Sequence, residues 1–168
     1  GNNLWVGTEN DGVYMRSNGV WLKTTSKEGL VSNGADVLAQ AWDRSIWSAG
    51  WAGITRWDGN SWKTFASNKV FDTYYARDLE SSANCFWYFT DLGVHRSQGS
   101  EWADYTEEDG LISDDTISGM PAGDDLAYVG TVDGLSVIDN GSIKNYFINN
   151  IPVGYNFISA AADSRGRV

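Results

Sequence analysis

Cysteine is almost missing. Cys85 stands alone in 168 residues, which excludes an intrachain disulfide framework, and its place in the apolar run Cys85-Phe86-Trp87-Tyr88-Phe89 marks it as a buried, inert thiol. Histidine is equally scarce. His95 is the single one, no cysteine lies at ligand spacing, and no metal is expected. Its mid-strand place beside Arg96 predicts a solvated outer strand surface for His95 rather than a catalytic triad. Positive charge is also short, 12 Lys and Arg against 22 Asp and Glu. A surface of net charge −10 repels phosphate backbones and anionic headgroups, so nucleic acid is excluded as a partner. No apolar run approaches the roughly 18 residues of a spanning helix, so no membrane insertion is expected. Nor does any segment hold a 3.6-residue apolar period, which leaves almost no helix.

What is abundant is aromatic. Nine Trp, eight Tyr and six Phe make up 14 % of the chain, more rings than a fold of this size can hold without burying many of them. They recur at a fixed interval. One ring position repeats at Trp5, Trp47, Trp87 and Tyr128, with spacings of 42, 40 and 41. A glycine repeats at Gly12, Gly53, Gly93 and Gly134, and a third column runs through Trp21, Trp62, Trp102 and Ile143. Three columns in one register define four repeats, about 1–44, 45–84, 85–125 and 126–168, of a single domain.

Within a repeat the pattern is short and β-like. Leu4-Trp5-Val6-Gly7-Thr8 precedes the turn Asp11-Gly12, then Val13 to Arg16, the turn Ser17-Asn18-Gly19, and Val20 to Lys23. Asx-Gly pairs supply the positive φ angles of two-residue hairpins and recur at Asp58-Gly59, Asp133-Gly134 and Asn140-Gly141. A further strand precedes each ring position: Asp36 to Trp42, Ala76 to Ser81, Thr116 to Met120 and Asn156 to Ala162. Four strands per period of about 41 residues predict an all-β fold, a β-propeller of four four-stranded antiparallel blades. The phase places the chain's start on the second strand of a blade. The last strand, Asn156 to Ala162, is then expected to complete the first blade and remove exposed sheet edges; the alternative is a fragment or half of a larger ring, and Val168 falls where another strand is expected to begin.

These residues resemble the two-component regulator propeller repeat, found in periplasmic sensor regions of bacterial hybrid two-component systems and in related extracellular propellers. The matching pieces are Leu4-Trp5-Val6-Gly7-Thr8 with Asp11-Gly12-Val13, the loops Glu28-Gly29-Leu30-Val31-Ser32-Asn33 and Asp109-Gly110-Leu111-Ile112-Ser113-Asp114, and Val129-Gly130-Thr131 with Asp133-Gly134-Leu135. The resemblance implies a periplasmic or extracellular location and a part in sensing. The second repeat departs from it, with Trp51-Ala52-Gly53 where other blades carry Asp or Leu before the glycine, and its loop from Ser67 to Tyr75 lacks the Gly-Leu element.

Rings repeated once per blade are expected to pack between sheets, and this applies to Trp5, Trp47, Trp87, Trp21, Trp62 and Trp102. Residues that break the repeat are the better candidates for a site. An exposed Trp51 in the turn between second and third strands shares a propeller face with the loops that carry Phe71, Tyr74, Tyr75, Tyr155 and Phe157. Asp72, Asp114, Asp115 and Asn156 lie in the same loops. Rings with carboxylates and amides suit a sugar, whose faces stack and whose hydroxyls make directional hydrogen bonds. The expectation is therefore a non-enzymatic recognition module for a carbohydrate or small polar ligand, without cofactor. The alternative is a protein-interaction or self-associating unit using the same rings.

Overall fold

The computed structural model describes residues 3–67, 75–99 and 101–147. Apart from two single 3-10 turns, Ser26–Glu28 and Glu107–Asp109, every regular element among them is a β-strand. The chain forms two compact units, Gly1–Ala76 and Arg77–Val168, and each contains two antiparallel meanders.

In the first unit, β1 (Leu4–Gly7), β2 (Val13–Ser17) and β3 (Val20–Thr24) form one sheet. The second sheet comprises β4 (Val37–Gln40), β5 (Ile46–Gly50), β6 (Gly53–Trp57) and β7 (Trp62–Ser67). In the second unit, β8 (Ala76–Ser81), β9 (Cys85–Thr90), β10 (Gly93–Gln98) and β11 (Glu101–Tyr105) are followed by β12 (Thr116–Pro121), β13 (Leu126–Thr131), β14 (Gly134–Asp139) and β15 (Ser142–Phe147). The ring column thus lies on β1, β5, β9 and β13, with β1 as the first strand where the other sheets have a preceding edge strand. That is the phase expected from sequence. The strand expected at Asn156 to Ala162 lies outside the described residues.

The hairpins follow their Asx-Gly chemistry. Asn18 and Gly19 take φ of 49° and 84°, and Asn140 and Gly141 take 49° and 78°, two left-handed residues in succession as the primed turn between twisted strands requires.

Strand alternation then aims the ring column at the neighbouring sheet. Trp5 points from β1 to the second sheet, where its centroid lies 6.2 Å from that of Trp57 and 5.9 Å from that of Trp62, edge-on to the latter. Val13, Leu30, Ala35, Ile46 and Trp62 complete this core. The second unit repeats the arrangement. Trp87 stacks with Phe89 and Tyr105 and packs in one cluster with Ala127, Val129 and Ile138 of the next sheet, with Ile143 at its edge. The sheets approach so closely that a Cβ on Gly119 of β12 would sit 2.0 Å from the Phe89 ring.

The Gly-Leu loops serve this packing. Glu28 accepts hydrogen bonds from the Thr25 backbone N–H and hydroxyl, and Asp109 does the same for Thr106. Gly29 and Gly110 then end the 3-10 turns with φ near 110°, and Leu30 and Leu111 drop into the two cores.

One expectation about the rings fails. Trp21 is 48 % exposed, whereas Trp62 at the same repeat position is 6 % exposed. Trp62 is covered by the preceding sheet, and among the described residues of the first unit no sheet covers the equivalent face of β1 to β3.

Candidate functional site

The β5–β6 turn carries the residue that most clearly breaks the repeat. Trp51 is 57 % exposed, held between β5, all of whose residues are buried, and Gly53, whose φ of 123° closes the turn. Its indole lies on Gly34. A Cβ there would come within 3.2 Å of both Cδ1 and Nε1 of the ring and of the Glu9 carbonyl oxygen. Gly50 is pressed against the same segment, since its own Cβ would fall 2.5 Å from the Gly34 carbonyl oxygen. Two glycines thus let the turn lie flat on the loop before β4, with the indole as its outer surface.

Two carboxylates share this corner. Asp36 is tied by its backbone N–H to the Ala49 carbonyl, and partial burial, with Glu9 nearby, raises its carboxyl above the usual range. A ring face beside acceptors of this kind can stack on an apolar ligand face and receive its hydroxyl protons.

The remaining site residues predicted from sequence are dispersed. Tyr75 is exposed in the first unit. Asp114 and Asp115 belong to the second, where Asp114 Oδ1 accepts from the Glu107 N–H at 2.6 Å, as Asn33 Oδ1 accepts from the Ser26 N–H at 2.8 Å in the first. Asp114 is thereby part of the loop's own closure. Asp115 pairs with Arg77 at 3.2 Å on exposed side chains. Phe71, Asp72, Tyr74, Tyr155, Asn156 and Phe157 lie outside the described residues.

His95 corrects the sequence expectation. It is buried rather than solvated: it shares with its cross-strand partner Tyr88 the sheet face opposite Trp87 and Phe89, and that face is buried as well; the two rings lie 5.7 Å apart. Its Nδ1 lies 2.8 Å from the carboxylate of Asp104, its cross-strand partner, and that contact lowers the Asp104 carboxyl below its usual range. Nε2 is 3.5 Å from Thr90 Oγ1, whose proton goes to the Gly93 carbonyl. Cys85 is the buried thiol expected, within reach of Ser82 Oγ and the Asp124 carbonyl, and burial raises its pKa.

Comparison with solved structures places this architecture. The extracellular domain of a proposed hybrid two-component system, BT3049 of B. thetaiotaomicron, superposes with a TM-score of 0.67 at 20 % identity over 86 % of this chain. That of BT4673 from the same organism gives 0.74 at 15 % identity over 97 %. The sheets share the fold of these extracellular domains. They are propeller blades. The chain spans 23 % of the length of each of those two proteins. No family model and no curated protein matches the sequence.

Sequence reasoning missed one group of residues altogether. Met15 and Arg44 line the space between the two sheets of the first unit, at the end opposite Trp51, with Asp43 beside Arg44 in the β4–β5 turn. Comparing each repeat position across the blades would have found them, since Arg44 aligns with Asp125, and Met15 with Arg96.

Proposed function

We propose that the protein is a non-enzymatic recognition module of an extracytoplasmic sensing region, and that the loop face centred on Trp51 binds a carbohydrate or another small polar ligand. The observation that carries this reading is the exposed Trp51 itself. An indole displayed on a platform of two glycines, at a position where the other blades place Asn10, Asp91 and Val132, serves no core, and exposing it has a solubility cost without a ligand to cover it. Asp36 and Glu9 supply acceptors beside the ring. The likeness in fold to extracellular domains of two-component systems supports both the location and the part in sensing. Tyr75, Phe71, Tyr74, Asp114, Asp115, Tyr155 and Asn156 extend the proposed face.

A glycan array probed with wild type and with Trp51→Ala tests the reading. Binding to a defined set of sugars that disappears in the variant, with an unchanged circular dichroism spectrum, supports it. Binding that survives the substitution removes Trp51 from the site.

A second reading, an assembly or protein-interaction unit, draws on a different surface. Leu4, Val6 and Trp21 are exposed on one face of the first sheet, whereas the equivalent face of the second sheet is buried under Trp5. A concentration-dependent mass in light scattering, lost on Trp21→Lys, would favour this reading.

A further inference from the structure

Between the two sheets of the first unit lies a cleft of about 600 Å³, lined by Trp5 and Met15 of the first sheet and by Gln40, Arg44 and Trp57 of the second, with Asn3 at its mouth. That volume lies within the roughly 300–1,000 Å³ typical of small-molecule sites.

The second unit shows why the cleft is open. On a shift of 81 or 82 residues, Trp5, Met15, Asp43 and Arg44 correspond to Trp87, Arg96, Asp124 and Asp125; Met15 pairs across strands with Trp5 as Arg96 does with Trp87. There the boundary between sheets is stitched shut. Arg96 lies 5.6 Å over the Trp87 ring and donates to the Asp124 carbonyl and the Asp125 carboxylate. The Asp124 carboxylate in turn accepts from Ser82 Oγ at 2.6 Å, from the Asn84 N–H at 2.9 Å and from Asn84 Nδ2 at 2.7 Å.

In the first unit every one of these contacts has been exchanged. Met15 replaces the arginine that would bridge the sheets. Asp43 turns away to its own sheet, where it accepts from the Ser45 N–H and hydroxyl and pairs with Arg56. Arg44 stands where Asp125 does and has no carboxylate partner among the described residues. It holds a left-handed φ of 68° as the residue that closes the β4–β5 turn, where its N–H donates to the Ala41 carbonyl. In a chain of net charge −10, a cation with no carboxylate partner among the described residues, beside two indoles and two side-chain amides, selects for negative charge.

We propose that this cleft is a second binding site, for a hydroxylated ring bearing a carboxylate, that is, a sugar acid. Trp5 and Trp57, inclined at 55°, offer apolar faces to the ring, Arg44 takes the carboxylate, and Gln40 and Asn3 serve the hydroxyls. The site is separate from the Trp51 face and does not depend on it.

Titration with D-glucuronate and, in parallel, D-glucose, followed by tryptophan fluorescence and by NMR, tests the proposal. Saturable glucuronate binding is expected, at least about tenfold tighter than glucose and weakened by salt. Arg44→Gln, an exposed substitution, is expected to remove about tenfold or more of the glucuronate affinity and leave glucose unchanged. The double variant Met15→Arg/Arg44→Asp rebuilds the stitching of the second unit and is expected to abolish binding. Trp51→Ala is expected to leave it intact. Equal affinity for the two sugars, no saturable response to glucuronate, indifference to Arg44→Gln, or loss of binding in Trp51→Ala would each overturn the proposal, the last by moving the ligand to the loop face.

Discussion

Trp21 and Trp62 occupy the same repeat position, so any reading of the sequence gives them equal weight, and the structure does not. Trp62 is 6 % exposed and sits edge-on to Trp5 within the inter-sheet core. Its replacement by Ala removes a large buried ring and leaves a cavity, a change that costs about 3–5 kcal/mol. Among the described residues Trp21 makes an edge contact with the Tyr14 ring, centroids 6.5 Å apart, and has the Arg16 guanidinium 6.0 Å from its own centroid. Each such contact is worth about 0.5–1 kcal/mol. Trp21→Ala is therefore expected to cost about 1–2 kcal/mol. At about 4–8 °C per kcal/mol for a unit of this size, the central gap of about 2.5 kcal/mol between the variants corresponds to roughly 10–20 °C. Urea and thermal unfolding followed by circular dichroism, which does not depend on the deleted fluorophore, measures both. If Trp21→Ala costs as much as Trp62→Ala, the outer face of the first sheet is covered in solution and the reasoning fails; if Trp62→Ala costs little, the account of inter-sheet packing fails with it.

Two further outcomes are expected. Gly119→Ala should destabilise the second unit by about 1–3 kcal/mol or more, because the new methyl overlaps the Phe89 ring inside a packed core, and Phe89→Leu in the same chain should recover part of the loss; additive costs from urea melts would refute the contact. Hydrogen bonds from Ser82 and Asn84 lower the Asp124 carboxyl from its ordinary 3.8 to about 2. Being depressed in the fold, this group contributes stability that is present above about pH 4 and lost as pH falls toward 2, with solvent screening holding the effect to about 1 kcal/mol or less. Asp124→Asn should flatten that acid limb of the melting temperature, and an unchanged slope would show that the bonds do not bear on stability.

Much of the architecture was readable from residue order alone because its causes are local. Alternation placed Trp5 and Trp87 on one face of their strands, Asn18-Gly19 and Asn140-Gly141 could close only primed hairpins, and the 41-residue period set the number of meanders. Trp51 was found as a break in that period and is exposed as expected. His95 was misjudged for the opposite reason. A polar residue on an outer strand reads as solvated until the contents of that face are known, and here the face opposite Trp87 also carries the buried Tyr88.

The sequence alone therefore determined the strands, their order within each sheet and the side on which each ring projects, since backbone sterics, turn chemistry and pleat act over a few residues. Only tertiary structure decided which rings are covered, which Asp closes a loop and which reaches across to another sheet, and whether a boundary between sheets is sealed or open. Those outcomes depend on groups about 40 residues apart meeting at hydrogen-bond distance, as Asp124 meets Ser82 and Asn84 while Asp43 folds back on Arg56. The identical residue at one repeat position thus has two fates, set by its neighbours in space.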